Sequence, residues 1–295
     1  MADAIGNKAA HNYHLDVPAP EQGFFAKGLG HGDWGAKNRL SRLFNPKSGN
    51  TVMLAFDHGY IMGATAGLER MDVTIAPLCR YADVLMATRG AIRSCIPPTV
   101  HNAICLRATH DASVLVEDMS TGNGLGADME AAIRMNAAAV AMQCFIGGAG
   151  EAQSLETLCR AVDAGERYGI PVLGVTAVGK EMARTTEYFL LATRMLAELG
   201  ASFVKTYYCD HFEKVVAACP VPVVIAGGKK LPEDEALTMA YRAICDGARG
   251  VDMGRNIFQS EHPAVMCQAV AKVVHEHFTD KEAYQFYQDL SHQAE

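Results

Sequence analysis

The sequence predicts a single (β/α)8 TIM barrel with an N-terminal extension, a fold of class α/β, and three observations carry that reading. From Thr51 onward, eight short apolar runs alternate with helix-like stretches. The runs are nearly continuous in their apolar character, as strands of a parallel sheet covered on both faces must be. No GxGxxG follows the first run, which counts against an open doubly wound sheet, the alternative architecture.

In chain order, residues 1–48 show little periodicity. They read as an N-terminal arm with a helical piece around Trp34 to Phe44, either wrapping a neighbouring subunit or hanging free. Residues 49–280 are assigned to the barrel and 281–295 to a C-terminal tail. The predicted strands are TVMLAFD (51–57), ADVLMAT (82–88), AICLRAT (103–109), AAVAMQCFIG (138–147), PVLGVTA (171–177), SFVKTYY (202–208), PVVIAGG (222–228) and GVDMG (250–254). The connecting helices are clearest at 154–168, 186–199, 233–246 and 263–278. The glycine-rich MSTGNGLGADM after the third strand reads as an ordinary βα loop rather than a phosphate cradle.

Composition narrows the function. A net charge of -7 with no basic stripe argues against a nucleic-acid partner. No apolar run has the length of a membrane span, and the polar N-terminus lacks a signal core, so no membrane partner is expected. The nine scattered cysteines form no CxxC pair and read as reduced core thiols of a cytoplasmic protein.

Active sites of such barrels lie at the C-terminal ends of the strands, and there the polar residues gather. Strand one ends in Asp57-His58-Gly59, strand seven in Gly227-Gly228-Lys229-Lys230 and strand eight in Gly254-Arg255-Asn256. Strand six carries Lys205 in its middle, where packing favours an apolar residue. An amine among apolar neighbours and other cations is pushed toward its neutral, nucleophilic form and can condense with a ketone. The plainer alternative is a lysine that pairs with Asp57 and merely closes the barrel. Asp57 is expected to face the barrel axis, with His58 at the loop start, placed for proton transfer or simply satisfied in the core. A metal site is disfavoured: no HxH or HExxH accompanies the pair, and His275 and His277 are expected on different faces of the last helix. The glycines 227, 228 and 254 beside Lys229 and Arg255 suit a phosphate, although turn glycines look alike.

Together AFDHGY, VKTYY, VIAGGKKLP and GVDMGRNIFQ resemble the class I aldolase family of archaeal-type fructose-bisphosphate aldolases, over most of the chain. The resemblance implies a Schiff-base lysine at Lys205, the strand-one aspartate at Asp57, and phosphate loops at Gly227-Gly228 and Gly254-Arg255. Where the fructose-bisphosphate aldolases place a proton-donating tyrosine after strand five, this chain has Thr176. That departure suits a thiolase branch of the family that degrades phosphorylated autoinducer-2. Likeness to that branch implies cleavage of 3-hydroxy-5-phosphonooxypentane-2,4-dione with coenzyme A as co-substrate, no tightly bound cofactor, and a homo-oligomer, often a decamer. A Schiff-base aldolase acting on another keto-sugar phosphate is the alternative.

Overall fold

The computed structural model describes residues 23–177 and 184–294. Part of the expected arm (1–22), the stretch 178–183 after the fifth strand and residue 295 lie outside the described residues. Eight parallel strands close into a barrel: β1 Thr51–Ala55, β2 Val84–Thr88, β3 Ala103–Arg107, β4 Ala139–Cys144, β5 Val172–Thr176, β6 Phe203–Tyr207, β7 Val223–Ala226 and β8 Gly250–Met253. Closure is made by β1, which pairs with β2 (Leu54 with Leu85) and with β8 (Met53 with Asp252). Every strand is shorter than its apolar run. After β4, Phe145 and Ile146 leave the ladder yet stay buried, so the hydropathy continues past the strand.

The N-terminal end of the barrel is closed by the chain that precedes it. Helix α1, Trp34–Leu43, starts at Asp33, whose Oδ1 accepts from the Ala36 amide at 2.7 Å. Its Leu40 and Leu43 are buried, and Phe44 meets Phe203 edge-on at 5.4 Å between ring centroids. Arg39 donates to the Gly169 carbonyl at 3.0 Å and Lys27 to the Cys219 carbonyl at 2.7 Å, so the described part of the arm is tied to its own barrel.

Two ends differ from the sequence reading. The helix expected to reach residue 278 stops at Glu276, because His277 takes a left-handed conformation (φ 60°) and caps it. Residues expected as a tail form α2, Asp280–Ala294, which buries Ala283, Tyr287 and Ser291 at every fourth position against the barrel's last helices. Among the described residues no helix is long and apolar enough to cross a membrane.

Candidate active site

At the C-terminal mouth, side chains from alternate strands share layers of the barrel interior. Lys205 from β6, Asp252 from β8 and Met86 from β2 meet in one of them. Lys205 Nζ lies 2.9 Å from Asp252 Oδ2 and 3.7 Å from Met86 Sδ, and the Asp252 carboxylate is wholly buried. The expected alternative partner, Asp57, is engaged elsewhere: it accepts from Arg107 Nε at 2.7 Å, with both side chains buried. Arg107, the last residue of β3, also donates to Gln143 Oε1 at 2.6 Å. Behind them, Asn123 Nδ2 donates to Asp111 Oδ1 at 2.7 Å, and the Tyr60 hydroxyl donates to the other oxygen of Asp111.

These contacts set the ionisation of the site. Burial alone would raise the Asp57 carboxyl, but the charges of Arg107, His58 and Lys205 bring it down to about 2. Burial pushes the Asp252 carboxyl above its ordinary range, against the pull of Lys205. His58 is held below the usual imidazole value by burial, which the Asp57 charge opposes and the cations Lys205, Arg255 and Arg107 reinforce. His58 Nδ1 is 3.8 Å from Asp57 Oδ1. Neutral at pH 7 and lining the cavity, His58 can accept a proton.

The cavity holds about 800 Å³, and Asp57, His58, Arg107, Lys205, Tyr207 and Arg255 are among its lining residues. Arg255 opens the short helix Arg255–Phe258, and its buried Nε has no hydrogen-bond partner among the described residues. Next to it, Asn256 joins two loops, donating to the Gly227 carbonyl at 2.7 Å and accepting from the Leu231 amide at 2.8 Å. Gly228 has φ 69°, and a Cβ on it would lie 3.9 Å from both Arg184 and Tyr207. Arg184 itself stacks 3.9 Å from the centre of the Tyr207 ring. Gly254 is required by a close approach: a Cβ there would come within 2.3 Å of the Ala55 carbonyl and 2.9 Å of the His58 ring. Lys229 is exposed, and Lys230 is held by Glu233 at 2.7 Å. The Thr176 hydroxyl donates to the Lys205 backbone carbonyl at 2.8 Å, so its proton is committed to the strand ladder.

Residues 51–260 match the model of the DeoC/LacD family aldolases, a segment that contains all eight strands. The chain belongs to that family. It is 54% identical to a 3-hydroxy-5-phosphonooxypentane-2,4-dione thiolase of Enterobacter sp. (strain 638), covering 98% of each chain. It is 52% identical to the thiolase of the same name from Escherichia coli O139:H28, over 97% of this chain and 98% of the relative. Among solved structures, an archaeal fructose 1,6-bisphosphate aldolase superposes with a TM-score of 0.73 at 24% identity, covering 82% of this chain and 99% of that one, a likeness of fold.

In this aldolase-family enzyme, Asp57, His58, Lys205 and Arg255 of the expected set line one cavity. Gly228 and Gly254 shape the backbone beside it, and Gly227 spends its carbonyl on Asn256. Sequence reasoning passed over Arg107, Gln143, Asp252, Tyr60 and Arg184. Three of them carried the signal that singled out Lys205, a polar side chain within an apolar strand: AICLR, AVAMQC and GVDM.

Proposed function

We propose that this enzyme cleaves 3-hydroxy-5-phosphonooxypentane-2,4-dione with coenzyme A, yielding dihydroxyacetone phosphate and acetyl-CoA, in the breakdown of phosphorylated autoinducer-2. The observation that carries this reading is near-full-length identity of 52–54% to thiolases of that name, together with a cavity lysine in an aldolase barrel.

The chemistry follows from the residues. The phosphate is bound by Arg255, with its unpartnered Nε, and by Arg184, against the backbone at Gly228 and Gly254. Lys205 condenses with the C4 ketone, beside the phosphorylated carbon, to form an iminium. The coenzyme A thiolate attacks C2 of the acetyl group. The C2–C3 bond breaks, its electron pair passes into the iminium to give an enamine, and acetyl-CoA departs. C3 then takes a proton from His58, which had accepted the thiol proton. Water hydrolyses the restored iminium, freeing dihydroxyacetone phosphate and Lys205. Asp57, ionised against Arg107, sets the electrostatics around His58 and Lys205.

The committed Thr176 hydroxyl fits this route, because thiolysis needs no acid after strand five. The cavity is large beside a five-carbon phosphate, since pockets of roughly 300–1,000 Å³ bury drug-sized ligands, and the remaining room suits the arm of a thioester carrier. This reading also includes a cytoplasmic homo-oligomer. Trp34, Leu115 and Leu191, all exposed large apolar side chains, support an assembly that covers them.

The deciding experiment incubates purified enzyme with the phosphorylated dione, with and without coenzyme A, and follows acetyl-CoA and dihydroxyacetone phosphate. Equal amounts of both products, only with coenzyme A, are expected. Dihydroxyacetone phosphate formed without coenzyme A, with acetate as the other product, would make the enzyme a hydrolase of the dione instead.

A further inference from the structure

Lys205 must lose a proton before it can attack a ketone, and the described residues offer few places to put it. Asp57 is near enough for its charge to act on Lys205 but is bound to Arg107 at 2.7 Å and held far toward ionisation. The Cys105 thiol, buried nearby, is kept protonated by burial and by the Asp252 charge. His58, lowered by burial and by the charges of Lys205 and Arg255, serves the thiol proton in the proposed reaction. Arg107 cannot accept a proton. That leaves Asp252, on β8, with 0% side-chain exposure and Oδ2 at 2.9 Å from Lys205 Nζ. Its Oδ1 has no hydrogen-bond partner among the described residues, and the Oδ2 contact is short but poorly angled for a hydrogen bond. A buried ion pair with so little else to hold it carries a desolvation cost that proton transfer between its members removes.

We propose that Asp252 is the positioning residue of Lys205: it accepts the ammonium proton so that substrate meets a free amine, and returns it when the imine forms. The proposal rests on the imine step of the function proposed above. The step balances. The Lys205 ammonium gives one proton to the Asp252 carboxylate. The amine nitrogen bonds to the ketone carbon as the C=O pair moves to oxygen, and a proton shift within the adduct gives a neutral carbinolamine. The proton held on Asp252 returns to the nitrogen and is relayed within the adduct to the hydroxyl, which leaves as water while the nitrogen lone pair completes the iminium. The carboxylate is then ionised again, directly against the new cation. The wholly buried Asp252 acts only through Lys205; the groups facing the pair are Asp57 and His58 from the segment after β1, and Arg107 and Cys105 from β3.

The test is borohydride trapping of the native full chain and of Asp252→Asn with dihydroxyacetone phosphate, which needs no coenzyme A. Adduct mass on the Lys205 peptide is followed from about pH 6 to about pH 10, the range in which a lysine titrates. In Asp252→Asn the maximal trapping rate is expected to fall about 100-fold, the scale of a lost proton-transfer group. Its acid limb should move down by about one pH unit or more, because the lysine loses its counter-ion. A rate within threefold of native, or a lower rate with an unmoved limb, overturns the proposal and leaves Asp252 a packing residue. No adduct in the native enzyme overturns both this proposal and the imine. Intact trapping without coenzyme A dependence in the product assay overturns the thiolase reading alone. Should Asp252→Asn not fold, Lys205→Met is compared with Lys205→Met/Asp252→Asn. The single variant should lose stability as pH rises, relative to the double, because a lone buried Asp252 holds its proton. Parallel pH curves show that Asp252 takes no proton there, which sinks the idea.

Discussion

The two ends of the barrel use the same residue types for different purposes. At the N-terminal end, His275 faces Asp83 through Nε2 at 2.9 Å and Ser48 through Nδ1 at 2.8 Å. Those partners are themselves spent on backbone: Asp83 accepts from the Val52 amide at 2.7 Å, and Ser48 from the Asn50 amide at 3.3 Å. Asn50, next to them, donates to the Val274 carbonyl at 2.7 Å. At the C-terminal end, Asp57, Arg107, Lys205 and Asp252 pair with one another across strands, and His58 and Arg255 keep buried nitrogens without partners among the described residues. One end staples the chain, and the other holds charge ready for a ligand. Residue type alone does not separate a serine, histidine and aspartate in a row from a reactive centre; where each partner's remaining valences go does.

The contrast can be broken most severely at Lys205. Lys205→Met should lower turnover by roughly three orders of magnitude or more, as loss of a covalent-catalysis group does. Steady-state kinetics on the phosphorylated dione measures this, with circular dichroism to confirm folding.

Arg107→Met comes next. It leaves Asp57 buried without its cation, a loss of about 3–5 kcal/mol in urea unfolding. Adding Asp57→Asn should recover much of that loss; two additive penalties would show that the residues do not act as a pair.

Arg255→Ala should weaken binding of phosphorylated substrate by about 1.5–3 kcal/mol, the size of a charge-assisted contact, and leave a dephosphorylated analogue nearly unaffected. Equal losses for the two ligands would move the phosphate elsewhere.

The acid limb of stability should carry the Asp57 signature. Its folded pKa, about 2, is below the ordinary value of 3.8, so its contribution is present above pH 3.8 and disappears as pH falls through about 2. The contribution is about 2 kcal/mol. Asp57→Asn should flatten that part of the pH–stability curve, and an unchanged slope would count against the pairing.

The mildest effect belongs to the opposite end. Asn50→Ala removes one buried bond to backbone and should cost about 1 kcal/mol, or about 2–4 °C in Tm, with kcat unaltered. A drop in kcat would show that the two ends are coupled.

Much of this was legible in the sequence. Eight apolar runs gave the barrel, because a strand buried on both faces shows its hydropathy without a partner being known. Lys205 stood out for the same reason. Its partner did not, because pairing depends on which side chains share a layer, and Asp252 lies two strands away around the barrel. Arg107 and Asp252 carry the same mark as Lys205, a charge inside an apolar strand, in AICLR and GVDM. Arg184 lies in a stretch of sequence without periodicity, so nothing in its spacing pointed to Tyr207. The C-terminal helix was readable after all in Ala283, Tyr287 and Ser291, a narrow stripe overshadowed by its polar face.

The floor beneath Lys205 is sealed. Phe44 and Phe203 meet below the strands, with Leu40 and Leu43 of α1 beside them. Among the described residues Lys205 is reached from the cavity at the C-terminal mouth, and a reaction with two substrates and two products has to queue there. In the proposed reaction the dione engages Lys205 inside the barrel before coenzyme A takes the mouth behind it. Acetyl-CoA must then leave before dihydroxyacetone phosphate can. The proposed reaction thus predicts an ordered traffic, in which dihydroxyacetone phosphate competes with the dione for the free enzyme and acetyl-CoA does not.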